Sequence, residues 1–359
     1  MRNSIFSLLL VFLIGCNSKD ENLSRLDHVP VKNPNELIRF NEIGDNLLSH
    51  IGYTSIVLED GHILVPDRQH VKLFKADSKG KLIETIGRRG NGPGEYQDIT
   101  FLSQSAYGSI LIYDQMNQKV IVLDSLGQYN TEFSIPSNSP SGSLIELHEV
   151  IEQQYLMIFR SSEYLLNENS EQVSYLVTYD IRQDKFSPTI KIDSRPYARI
   201  TGGGGGARVP YAAADLFAYN YKTSDIYLFK SDGQRIAQLD ASLDTVQVVS
   251  LDIESELITR TELDSLRAEY PEYWASMQSM LPEYKAVADQ LMIDHKNNFW
   301  LKLNHSSKYQ QWLVASGQGE LLQNVRLPKG SMLTHISEKH LGVRLDDITF
   351  ALFDYPEIQ

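Results

Sequence analysis

The sequence predicts an all-β protein: a six-bladed β-propeller with an N-terminal strand closing the last blade and a helical insertion between blades four and five. Three observations lead there. A strand-and-turn unit repeats, a turn signal recurs before the outer strand of each unit, and the last unit lacks an outer strand that the N-terminus can supply. The repeat is clearest where Gly61 to Asp67, Val71 to Phe74 and Gly80 to Ile86 align with Gly108 to Asp114, Val120 to Leu123 and Gly127 to Phe133. In both copies β-branched, aliphatic and aromatic residues alternate with period two and break at Asp, Ser and Gly, which is the pattern of strands joined by tight turns.

The turns Asp77 to Gly80, Asp124 to Gly127, Asp180 to Lys185, Ser231 to Gly233 and Ser316 to Gly319 then set a period of roughly 50 residues, the size of a propeller blade. The interval before Gly319 is too long by one helical hairpin. Within it Leu263, Leu266 and Tyr270 recur at helical spacing, and Pro271 opens a second segment with Tyr273, Trp274, Met277 and Met280 on one face, which places the insertion at about 255–288. The last unit, Leu333 to Ile336, His340 to Arg344 and Thr349 to Phe353, has no fourth strand, and Leu37 to Ile43 supplies it. Closure by the N-terminus hides the last sheet edge. Val209 to Ala214 reads poorly as a strand, so the register of blades three and four is the least defined.

Charge and cysteine content narrow the function. With 33 Lys+Arg against 46 Asp+Glu the net charge is −13, which argues against nucleic acid as a partner. Residues 1–15 combine a basic start with an apolar run too short to span a bilayer, the form of a secretory signal. Leu13, Ile14, Gly15 and Cys16 resemble the bacterial lipobox, which implies diacylglycerol on Cys16 and a membrane anchor; the plain alternative is a secretory signal with an incidental cysteine. Cys16 is the sole cysteine, so once lipidated it leaves no thiol for a disulfide, a thiolate metal site or a nucleophile. Residues 16–35 read as a flexible tether, followed by the propeller at 36–359. Lys19, Asp20 and Glu21 resemble the surface-export signal of Bacteroidetes lipoproteins, and an ordinary solvated linker is the alternative.

Three segments carry a wider resemblance: Ile86 to Tyr96, with its Gly-x-Gly-Pro-Gly-Glu-aromatic run; Leu281 to Tyr284 with Asp294 and Phe299 to Leu301; and the lipobox. On these the chain resembles the six-bladed β-propeller lipoproteins of Bacteroidetes, which are similar in style to NHL-repeat propellers. The resemblance implies a lipid-anchored protein of the outer membrane, on its surface or its periplasmic side, and implies no particular activity.

In a propeller, the connections between blades and those between second and third strands open on one face. The long connections of this chain all fall there: 87–98, 136–143, 193–210, the helical insertion and 160–172. Long loops in compact domains are often functional, which makes this face the expected binding surface. On it the run Gly202 to Gly206 is flanked by Arg195, Arg199 and Arg208, a set able to take an anion or glycan; a solvated loop whose arginines pair with acidic residues is the alternative. Arg88 and Arg89 are the part of their loop free to bind, whereas Gly90, Gly92, Pro93, Gly94 and Glu95 form a tight crossing that Glu95 can lock through backbone N–H groups. His70, and Trp274 on the insertion, complete the expected contacts. His70, His305 and Asp67 can meet over the axis around a divalent metal, although isolated surface histidines are the commoner arrangement. No other cofactor is implied.

The sequence has neither a Gly-x-Ser-x-Gly elbow nor a spare cysteine. A non-enzymatic binding module is therefore expected, with a glycan, an anionic small molecule or an envelope protein as partner. The alternative is a lactonase-like hydrolase or a lyase, metal-dependent or not, with its site at the axis.

Overall fold

The computed structural model describes residues 25–163, 172–199 and 205–358; Cys16, the lipobox and Gly202 to Gly204 lie outside them. Six sheets of four or five strands follow one another along the chain. Their first strands are Ile56–Val57, Phe101–Gln104, Ser143–Ile151, Asp215–Tyr219, Ala288–Ile293 and Met332–Ile336. The period-two pattern explains how the sheets assemble. In the second strand of blade one, Ile63–Asp67, the side chains of Ile63 and Val65 join a cluster with blade six, whereas Leu64 joins one with blade two. In Ile110–Asp114 of blade two, Ile110 and Ile112 face blade one while Leu111 and Tyr113 face blade three. Further clusters join blades three to four, four to five and five to six, so six apolar interfaces close the ring.

Ring closure is as the sequence predicts. Glu36–Phe40 pairs antiparallel with Phe350–Asp354 as the outer strand of blade six. One further pairing lies in the segment read as a tether: Val31–Lys32 pairs parallel with Leu321–Pro328 at the rim of blade five. The chain is therefore docked from Leu26 onward. Leu26 and Val29 pack on the cluster between blades four and five, a contact too sparse to show as periodicity.

The recurring turn is chemically uniform. In Asp77 to Lys81, Oδ1 of Asp77 accepts the N–H groups of Lys79 and Lys81, and Asp124 does the same for Leu126 and Gln128. Blade four corrects the register. Its equivalent turn is built by Asp240, which accepts from Ser242 and Asp244, whereas Ser231 to Gly233 joins the second and third strands. The position held by Gly80 and Gly127 is filled by Leu243 at φ +68, which conceals the turn in the sequence.

The helical insertion lies between blades four and five, as expected. Helix α1, Arg260–Glu269, starts at a capping box in which the Thr259 side chain accepts from Glu262 N and the Glu262 carboxylate accepts from Thr259 N. Helix α2 is a single turn, Trp274–Met277. Met277 packs with Tyr270, Tyr273 and Leu281 on the hairpin of Tyr197–Arg199 with Gly206–Arg208. Met280, expected on this stripe, is exposed because the helix ends before it.

Candidate functional site

The first strands of all six blades surround an axial channel with a cavity of about 220 Å³. Above blades three to five lies a second cavity, the mouth, of about 230 Å³. Glu146, Phe217, Gln290 and Leu291 line both, so the two adjoin.

The mouth is where the arginine-rich connections converge. Arg160, Arg195 and Arg208 line it and face Asp193, Asp215 and Asp289. Arg195 lies 3.8 Å from Asp289, which also meets Lys302 at 3.4 Å. Asp215 pairs with Lys230 and accepts from Asp193 N at 2.9 Å. Arg208 is exposed and has no ion-pair partner among the described residues. Arg199 is held in the hairpin opposite Gly206 and does not line the cavity. Carboxylates therefore offset most of the positive charge expected here.

The channel is different in kind. Ser55 Oγ, Ser103 Oγ, Gln104 Oε1 and both ring nitrogens of His148 and of His335 are buried with no hydrogen-bond partner among the described residues. Each buried polar group left unpaired costs about 1–3 kcal/mol, and native interiors hold few of them. These seven atoms belong to five residues that line one cavity, while others, such as Trp312 Nε1 and Asn324 Oδ1, lie elsewhere. The rings are fixed by stacking rather than by hydrogen bonds. His148 lies on Tyr219 with centroids 4.5 Å apart and is flanked by Phe101 and Phe217; His335 lies on Tyr221 at 5.0 Å. Tyr219 is itself fixed by donating to Glu149 O. Burial pushes His335 down to about 4, so its imidazole is neutral near pH 7. His148 Nε2 stands 3.5 Å from Glu146 Oε2, an ion-pair distance too long for a good hydrogen bond.

The remaining expected site residues fall elsewhere. Arg88, its side chain 81% exposed, donates from Nε to Glu95 Oε1 at 2.6 Å, and the exposed Arg89 reaches Gln97 from Nε at 3.2 Å. Glu95 also accepts Gly92 N–H, and that bond, then Arg88, holds its carboxyl below the usual range. Gly90 leaves the room this needs, since a Cβ there would lie 2.0 Å from Glu95 Oε2. Gly92, Pro93 and Gly94 complete this crossing between blades one and two. His70 Nδ1 pairs with Asp67 Oδ2 at 3.0 Å, whereas His305 Nε2 meets Glu254 O at 3.1 Å and its Nδ1 Glu256 at 3.5 Å, so the structure does not bring the two together around Asp67. Among the described residues no group of three His, Cys, Asp or Glu side chains can hold a metal ion. Trp274 sits on α2, half-buried and away from both cavities.

His148 and His335 are the residues that motif reading misses. The signal is faint but physical: each is a polar residue on the first strand of a blade, where one face looks onto the axis.

A family model, DUF5128, described as a 6-bladed beta-propeller, matches residues 43–202, which span the first three blades. No curated protein matches the sequence. Among solved structures, a member of the DUF4221 family from Bacteroides vulgatus is 12% identical over 91% of this chain and 98% of that chain, with a TM-score of 0.54. A gluconolactonase from Xanthomonas campestris is 10% identical, covering 86% of this chain and 87% of its own, at a TM-score of 0.42. A virginiamycin B lyase from Staphylococcus aureus is 9% identical over 89% and 98% at 0.46. The likeness to the DUF4221 protein is one of fold, and with the family match it agrees with the ring of six blades: the chain is a six-bladed β-propeller.

Proposed function

We propose that the chain is a lipid-anchored envelope protein of the outer membrane whose propeller is a non-enzymatic binding module, taking a small ligand through the mouth into the axial channel. The observation that carries this reading is the gathering of unpaired buried polar atoms on Ser55, Ser103, Gln104, His148 and His335 around one cavity. Such groups are tolerated where water or a ligand completes them. The anchor rests on Leu13 to Cys16, and replacement of Cys16 by Ala is expected to move the protein from the membrane to the soluble fraction.

A thermal-shift screen of the full chain against neutral and acidic sugars, short peptides and divalent metals tests the binding role. A ligand at 100 times its Kd stabilises by about 2.7 kcal/mol. A stabilising compound whose effect disappears in Ser103→Phe, which fills the channel, supports the reading. A shift unaffected by Ser103→Phe but lost in Arg208→Ala moves the site to the mouth. A second reading, a propeller hydrolase or lyase, draws on the Glu146–His148 pair as an acid–base couple at the channel wall. It predicts product formation from a bound compound, abolished by His148→Phe.

A further inference from the structure

We propose that the channel ligand is an uncharged polyhydroxylated molecule, a sugar or sugar alcohol, held through its hydroxyl groups by Ser55, Ser103, His148 and His335. This rests on the channel-binding reading above and narrows it to a chemical class.

The unpaired atoms fix the class. Ser55 and Ser103, 0% and 5% exposed, each present a hydroxyl that both donates and accepts. The neutral His335 imidazole presents one N–H and one lone pair, and both nitrogens of His148 are unpaired among the described residues as well. Gln104 adds a carbonyl oxygen, an acceptor only. The channel thus offers donors and acceptors in mixture on four of the six blades. Hydroxyl groups, which both donate and accept, match such a mixed set.

Charge excludes the competitors. Among the described residues no Lys, Arg or Asp lines the channel, and the one carboxylate that does, Glu146, sits on the wall shared with the mouth. A carboxylate or phosphate ligand would find no Lys or Arg at the channel wall among the described residues and would meet the Gln104 oxygen and the Glu146 carboxylate. An ammonium group could pair with Glu146 but, having no lone pair, would itself match none of the channel's donors. The apolar share of the lining, including Phe217 and Ile293, suits the C–H faces of a sugar ring.

The test is calorimetric titration of the full chain with D-glucose, D-galactose, D-mannose and myo-inositol, and with glucuronate and glucosamine as charged counterparts. The expected result is saturable binding of at least one neutral compound, with the charged counterparts at least about tenfold weaker. Gln104→Leu and His335→Phe are each expected to weaken that binding by about tenfold or more; the first serves if the second fails to fold, as judged by circular dichroism. Binding of glucuronate or glucosamine alone, sensitive to Gln104→Leu, overturns the class and leaves the channel reading standing. Binding of none of the six, together with a raised Tm in Gln104→Leu, overturns both and identifies the occupants as water.

Discussion

Lys285 carries its charge inside the protein. It is 1% exposed, and its Nζ donates to Glu262 Oε1 at 2.6 Å, Ser306 Oγ at 2.7 Å and Glu256 Oε2 at 3.1 Å, with the Tyr211 ring 5.3 Å away. These bonds tie α1 to the loop between the second and third strands of blade five. Removing one member of a buried ion cluster typically costs about 3–5 kcal/mol, because the charges left behind have no partner. Lys285→Met is expected to lower stability by somewhat less than that, because Glu262 and Glu256 are 21% and 37% exposed and water still reaches them, and adding Glu262→Gln should recover part of the loss. Equal losses in the single and double variants in urea unfolding would show that the cluster is not coupled. Burial pushes the Glu262 carboxyl up, but Lys285, Thr259 and Ser306 outweigh it and hold it at about 2. Its folded pKa thus lies below the unfolded value near 4.5, so its contribution is present above pH 4.5 and is lost as pH falls toward 2. Glu262→Gln should flatten the fall in stability across that window, and a parallel pH profile would contradict this.

At the level of elements, the crossing between blades one and two shows how a loop rich in glycine and arginine becomes structure. Tyr96 is fully buried; its hydroxyl donates to Ile86 O at 2.6 Å and accepts from Leu73 N at 3.2 Å, and burial raises its pKa to about 12. Gly87, at φ +64, lets the chain turn against that ring, where a Cβ would lie 2.8 Å from Tyr96 Cε1. Tyr96→Phe leaves two buried backbone groups unpaired and is expected to cost about 1–3 kcal/mol, read as a lower urea midpoint at unchanged m-value. The sequence carries the glycines, proline and Glu95 of this crossing plainly, because a tight turn demands particular residue types. It hides the fate of Arg88, since the pairing with Glu95 depends on how the two short strands Arg88–Arg89 and Glu95–Tyr96 align. Blade four is hidden for a related reason. Leu243 takes a left-handed conformation that glycine usually announces, because its side chain is buried in the cluster between blades three and four. The channel is the least legible part. Ser55, Ser103, His148 and His335 come from four blades; the first three recur at the blade period, but the residue type changes from Ser to His and the repeat alone does not mark them as a site.

For the whole molecule, the ring is held by a strand from the opposite end of the chain. Glu36–Phe40 completes blade six, Ile38 and Phe40 pack on the cluster shared with blade one, and Asn35 donates from N and Nδ2 to Asp354 Oδ1 and Oδ2 at 2.7 Å each. The sequence announces this closure through a unit one strand short. The neighbouring pair Val31–Lys32 is not announced, since two residues carry no periodicity. The two additions differ in what their loss exposes. A chain beginning at Asn33 gives up a strand laid on the rim of blade five, whose four antiparallel strands remain. A chain beginning at Asn41 uncovers Phe350–Asp354 as an unpaired edge and opens the interface between blades six and one, where Phe350 and Leu352 are buried. An edge of this kind invites pairing with other chains. The first truncation is accordingly expected to keep a single cooperative melting transition at a modestly lower Tm, and the second to lose cooperativity, bind a hydrophobic dye and aggregate. Should the chain from Asn41 melt like the intact protein, the six blade interfaces alone hold the ring and the N-terminal strand serves only to cover an edge.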